Sequence, residues 1–326
     1  IKAIAGLGSK AVIMFLTGTV GVIIGGPLAL LIVSAIWPEL IGVSGPDAVW
    51  RGMAALAGSW IGGGANMLAM KEIYGADGKI FTIMVTVDIV VANIWMAGLL
   101  YMAANHKRID AKNGADTSSI DRLVEKVEAH TKANSKTPEL KDYMLILAVG
   151  LGAAGMAHLA ADYLVPFFQN NYPDLKKFSL HSKLFWIIVL VTSIGLALSF
   201  TKVRNLESVG ASKVGSSILY VLVATIGLHM DITQIVEAPK YMVIGLIWMA
   251  VHVILLFAVG KFIKAPVFYL AVGSKANIGG AASAPVIASA FHPSLAPVGV
   301  LLAVLGYALG TYMAWLCGQL LRIVGS

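Results

Sequence analysis

Apolar side chains fill long stretches of this chain, and most charges gather in the gaps between them. A helix needs about 20 apolar residues to cross a hydrocarbon layer about 30 Å thick. Six runs meet that length cleanly: Ala11 to Ile36, Ile80 to Ala104, Tyr143 to Phe168, Leu184 to Thr201, Tyr241 to Phe262 and Ala296 to Leu321. Gly210 to His229 is a weaker seventh. Ala48 to Met70 and Pro266 to Phe291 have the length but are crowded with Gly, Ser, Asn and Pro. No segment alternates with the period of two that a membrane β-barrel requires. The pattern predicts an all-α polytopic membrane protein with nine candidate elements.

One segment departs from the pattern. From Ala104 through Asp142 lie 15 of the 41 charged residues, eight basic and seven acidic. Within it Ile120, Leu123, Val124 and Val127 recur at helical spacing, and Glu128 and Lys132 form an i,i+4 pair. A solvated linker with one surface helix is expected, closed by Pro138. Basic residues favour the cytoplasmic ends of spans. Lys107, Arg108, Lys141, Lys202, Arg204, Lys213, Lys261, Lys264 and Arg322 fall on one side if every run crosses. The chain then divides into 1–104, a cytoplasmic linker at 105–141, and 142–326, with the loop Gln169 to Ser182 outside.

Composition fixes the solvent. Charged residues make up 13% and apolar or aromatic ones 58%, against about 25% charged in soluble domains. This excludes an ordinary soluble enzyme, a nucleic-acid binder and a disordered chain, and implies a multi-pass protein of the inner (plasma) membrane. The single Cys317 excludes an intrachain disulfide and a thiolate metal cluster. Ile1 in place of Met suggests that the natural chain begins earlier.

The two glycine-rich runs are related. Ile61-Gly-Gly-Gly-Ala-Asn-Met matches Ile278-Gly-Gly-Ala-Ala-Ser-Ala, each preceded by a Gly-Ser pair, Gly58-Ser59 and Gly273-Ser274. Asn93 to Leu99 aligns with Gly310 to Leu316 at the same offset, and Ser9-Lys10 resembles Pro239-Lys240. Gly costs about 1 kcal/mol against Ala in a helix. Gly62, Gly63 and Gly64, and Gly279 and Gly280 near Pro285, are therefore expected to unwind within the membrane. Freed backbone groups at that depth survive only when buried in protein or facing a wet cavity, a setting that suits an ion or anion site. Close helix packing by small residues is the alternative.

The runs at 58–66 and 273–281 resemble the bacterial membrane family called domain of unknown function 819, over the whole chain. That family is grouped with the cation/proton antiporter and anion transporter superfamily. The resemblance implies a core of two crossing broken helices, a panel or dimerisation domain, inverted repeats, elevator-like movement and helices before Ile1. Counting every run as a crossing instead makes the two copies parallel.

Ionisable groups at bilayer depth are functional candidates. Asp88 lies mid-run between Thr86 and Asn93, and its counterpart in the second copy is Leu305. Lys275 sits inside the second glycine motif, where it could balance an acid, clamp an anionic solute or reach the interface. Asn66, Asn93, Asn277 and Ser283 offer ligands to solute or Na⁺, with a Na⁺ site near Asp88 and Asn66. His158 and His252 read as packing residues, His229 and Asp231 as interfacial, and the tryptophans Trp37, Trp50, Trp186 and Trp248 as belt and packing. No catalytic pair or metal spacing is visible. The expected activity is Na⁺- or H⁺-coupled secondary transport of a small anionic solute by a homodimer in the lipid bilayer. A sodium/proton antiporter, a membrane scaffold and an intramembrane enzyme are the alternatives.

Overall fold

The computed structural model describes residues 8–120, 122–125, 137–178, 180–211, 213–215, 217–218, 221 and 239–326. Among these, all regular structure is helical. The helices are α1 (Ser9–Ser34), α2 (Val49–Gly62), α3 (Gly64–Tyr74), α4 (Gly78–Ala104), α5 (His106–Asn113), α6 (Leu140–Asn171), α7 (Lys183–Leu198), α8 (Pro239–Phe262), α9 (Val267–Asn277), α10 (Gly280–Phe291) and α11 (Ala296–Gly325). Five of them (α1, α4, α6, α8 and α11) are long and apolar enough to cross a membrane. A sixth span results if α7 is joined to the segment Lys202–Val209, bent from it by 92°. The pair Glu128 and Lys132, and most of the run from Gly210 to His229 with Asp231 beyond it, lie outside the described residues.

Both glycine-rich runs are interrupted where the sequence places the weakness. Gly63 separates α2 from α3 at φ 83°, and Gly279 precedes α10 at φ 114°. These left-handed angles cost glycine nothing and other residues a clash. Neither run crosses the membrane. The rings of Trp50 and Tyr74 lie 5.9 Å apart, whereas a continuous helix would separate residues 24 positions apart by about 36 Å. The rings of Phe268 and Phe291 are likewise 5.3 Å apart. Each run is a helical hairpin that enters and leaves on one face, so the expected crossings at Ala48 to Met70 and Pro266 to Phe291 are corrected.

Contacts at the helix ends assign the faces. Lys10 Nζ donates to the Lys264 carbonyl at 3.0 Å, the Val267 amide to Asp110 Oδ1 at 2.8 Å, and His106 stacks 5.4 Å from Phe291. The starts of α1 and α9 and the ends of α4 and α10 therefore share the face of the charged linker. At the other face, Lys240 pairs with Glu39 at 2.9 Å, the Gly42 amide donates to the Gly325 carbonyl, and the Asp77 amide to the Pro46 carbonyl. Hairpin α2–α3 thus enters from the face opposite the linker and hairpin α9–α10 from the linker face. Arg322 consequently lies opposite Lys264, not beside it: the hairpin returns to its own face, so α11 makes the crossing.

Each hairpin is the centre of its own apolar cluster. Trp60, Met70 and Ile73 of the first pack with Leu30, Trp248 and Leu321. Phe268, Val272 and Ile287 of the second pack with Phe15, Leu256 and Leu302, joined by Ile120, Leu123 and Val124 of the predicted linker stripe. Away from these clusters, α6 packs chiefly on α7 and exposes Leu151, Met156, Leu159, Tyr163 and Phe167. Such apolar faces fit contact with lipid tails.

Two outcomes test this arrangement. In single-cysteine variants, a membrane-impermeant thiol reagent should label Ser44→Cys and Gly78→Cys from one side of the membrane and Asn113→Cys from the other. A broken helix that crossed would put positions 44 and 78 on opposite sides. The second concerns Asp110, which is 3% exposed and whose Oδ2 has no partner. Burial lifts its carboxyl above the usual range, against the opposing effects of the Val267 amide and His106. A raised folded pKa gives stability that is full at low pH and lost as pH rises through it. Asp110→Asn keeps an acceptor for Val267 without the charge, so its melting temperature should exceed the wild type's by a margin that grows with pH.

Candidate functional site

The tips of the two hairpins meet. A Cβ on Gly63 would lie 4.0 Å from the Gly280 Cα and 3.4 Å from the Tyr307 ring. Tyr307, on α11, accepts a hydrogen bond at its hydroxyl from the Ala281 amide at 3.1 Å. One aromatic side chain therefore touches both breaks and satisfies an amide that the second leaves free.

Helix α4 ties both tips from the other side. The carboxylate of Asp88 accepts from Ser59 Oγ at 2.6 Å and from Trp60 Nε1 at 2.7 Å, both on α2 within a turn of the break. One turn further along α4, the Ala92 carbonyl accepts from Lys275 Nζ at 3.3 Å, and Trp95 Nε1 donates to Ser274 Oγ at 2.8 Å. Asp88 and Lys275 thus flank the junction from opposite hairpins. Lys275 is the cation acting on Asp88, although no direct ion pair joins the two among the described residues. Lys275 is 3% exposed, which excludes a side chain reaching out to the interface.

The candidate asparagines have different surroundings. Asn66 Oδ1 accepts from Thr311 on α11 at 3.0 Å. Asn277 accepts from Thr19 at 2.8 Å and donates to the Phe15 and Gly273 carbonyls. Both are buried and hold the tips to α11 and α1. Ser283 Oγ is buried without a partner and lies against Gly279, as does the Lys275 amine. Asn93 is not brought to this group: it is exposed and donates to the Ile89 carbonyl of its own helix.

Several residues of this junction were not candidates on sequence. His252 is fully buried, with Nδ1 3.0 Å from the Gly18 carbonyl and Nε2 2.8 Å from Ser274 Oγ. Because a carbonyl only accepts, Nδ1 carries the proton and Nε2 accepts from Ser274. A chain of donors therefore runs from Trp95 through Ser274 and His252 to α1. Of the tryptophans read as belt and packing, Trp248 is packing: it is buried, donates to the Val22 carbonyl at 2.8 Å and meets Trp60 edge-on at 5.1 Å. Ser59, Trp60, Tyr307 and Thr311 complete the set. The one signal for them was Ser59's place in the Gly-Ser pair before the first motif.

The model of the family described as protein of unknown function (DUF819) matches residues 1–324. The chain belongs to the DUF819 family. Over 322 residues it is 23% identical to the uncharacterized membrane protein YjcL of Bacillus subtilis, covering 95% of this chain and 75% of YjcL. No solved structure matches it. The relative is named a membrane protein, in keeping with the five long apolar helices of this DUF819 chain, and the chemistry is left to the junction just described.

The close approach inside the first hairpin is testable. A Cβ on Gly58 would overlap the Asn66 carbonyl, a backbone group that cannot swing away. Overpacking costs about 1–3 kcal/mol, so Gly58→Ala should lower the unfolding temperature in detergent. Gly150→Ala on α6, where the added methyl meets open space, should leave it unchanged or higher.

Proposed function

We propose that this protein is a secondary active transporter of a small anionic solute, coupled to Na⁺ or H⁺, moving by an elevator-like displacement in the plasma membrane. The observation that carries the reading is the meeting of two re-entrant hairpins from opposite faces, flanked by a carboxylate and a buried ammonium. Oppositely inserted hairpins with matching glycine motifs support two inverted structural repeats. The hairpins with α1, α4, α8 and α11 form the carrying core, and α6 with α7 forms a panel through which a homodimer is anchored.

Asp88 is the coupling group in this scheme. A carboxylate at bilayer depth costs about 2.5–3.5 kcal/mol on insertion scales. Neutralising it with H⁺ or Na⁺ removes most of that cost, so the loaded and empty forms differ in their freedom to move. The oxygens of Ser59, Asp88 and Asn66 suit a hard cation. Lys275 and the unpartnered Ser283 hydroxyl face an anionic solute at the second tip, and Asn277 holds that tip in place.

Uptake into proteoliposomes, with and without a Na⁺ or H⁺ gradient, tests the proposal. Asp88→Asn preserves shape and an acceptor for Trp60 while removing the charge. Gradient-driven accumulation should fall to background with the melting temperature retained. Wild-type uptake with wild-type cation dependence in that variant would overturn the assignment.

A further inference from the structure

Helix α5 and residues 118–120 and 122–125 of the charged linker lie at the base of the second hairpin and touch both of its arms. Helix α9 begins after Pro266, which offers no side chain to cap the amides of the first turn. The linker supplies that cap: Asp110 Oδ1 accepts from the Val267 amide at 2.8 Å. Two residues further into α9, the Tyr269 hydroxyl donates to Ser119 Oγ at 3.3 Å. On the other arm, the ring of Phe291 at the end of α10 lies 5.4 Å from that of His106. Ile109, Ile120, Leu123 and Val124 add apolar contacts to the cluster centred on this hairpin.

One atom of this contact is unsatisfied. Asp110 is buried, and its Oδ2 has no hydrogen-bond partner among the described residues. A charge held there lacks half of the bonds that water would give it, which favours the neutral carboxyl. Little nearby offsets that cost. His106, one turn back on α5, is the side chain that acts on Asp110 electrostatically. The first turn of α9 and the last turn of α4 bring no charged residue. Asp116, Arg122 and Glu125 of the linker are exposed. Lys10 reaches the Lys264 carbonyl instead, and neither lysine is ion-paired with Asp110. Withdrawing the linker from the hairpin returns water to the carboxylate, so ionisation and release are linked.

We infer that the linker is a pH-released clamp: with Asp110 neutral it holds both arms of hairpin α9–α10 together at the linker face, and ionisation of Asp110 frees it from the hairpin base. The release is local, because the bonds that hold the tip through Ser274, Asn277 and Ala281 involve no linker residue. It does not depend on what the tip junction carries. The direction follows from burial, which lifts the docked carboxyl above its usual range. A carboxyl with a higher pKa docked than released favours docking at low pH and loses that advantage as pH rises toward the docked value.

Hydrogen–deuterium exchange of the full chain in detergent, followed over a pH series and corrected for the intrinsic pH dependence of amide exchange, reads the release. Peptides from 105–125 and 264–272 should lose protection as pH rises, by up to about tenfold per pH unit, the limit for one linked proton. Peptides from α1 and α11 should keep theirs. Asp110→Asn retains an acceptor for the Val267 amide without the charge and should hold the clamp at every pH. Asp110→Ser, which also keeps a capping oxygen, gives the same reading if the asparagine variant does not fold. His106→Gln removes the cation that opposes the shift, so the loss of protection should continue to higher pH than in the wild type. A cap of purely structural value would give protection that does not vary with pH. That result in the wild type, the same pH dependence in the uncharged variants, or loss of protection along the whole chain at once would overturn the proposal.

Discussion

Backbone groups released inside a membrane must find partners in the protein, because hydrocarbon offers none. The structure depends on how that constraint is met at Gly63 and Gly279. Two half-depth hairpins, inserted from opposite faces, bring their ends together so that each break is covered by the other, by Tyr307 and by neighbouring helices. A hairpin tip facing lipid would leave these groups bare. The tip-to-tip junction is therefore the arrangement that makes both interruptions tolerable, and it concentrates polar atoms where the bilayer is least polar.

The long helices follow from this junction. Helix α4 presents Asp88 to one hairpin and Ala92 and Trp95 to the other. Helix α11 gives Thr311 to the first and Tyr307 to the second. Helix α1 receives Asn277 and, through His252, the Ser274 chain. Side chains that hold one tip are thus a turn or so from side chains that hold the other. In the proposed transport cycle, displacing one hairpin against the other would exchange a short set of identifiable bonds and leave the apolar cluster around each hairpin whole. Buried polar networks of this kind are costly when half satisfied, which favours a few discrete arrangements over a continuous slide.

Charge placement divides the protein into two regimes. At the tips, Asp88 and Lys275 sit on opposite sides of one junction, where low polarity amplifies their mutual attraction. At the membrane faces, pairs such as half-buried Lys240 with exposed Glu39 are partly open to solvent and contribute little to stability.

The sequence by itself determined the solvent, the helical class, the positions of both breaks and the burial-worthy polar residues, because each rests on local chemistry. Twenty apolar residues in a row need a bilayer, and adjacent glycines weaken a helix wherever they stand. Asp88, Lys275, Asn66 and Asn277 were visible as polar atoms in apolar runs. Tertiary structure alone decided whether a broken run crosses or turns back, since an unwound Gly63 is compatible with both. That choice resolved the direction of the two hairpins, moved Arg322 to the opposite face and took Asn93 away from the junction. It also gave Trp60, Tyr307, Thr311 and His252 their partners: hydrogen bonds between helices distant in sequence are fixed by packing, which no local pattern encodes.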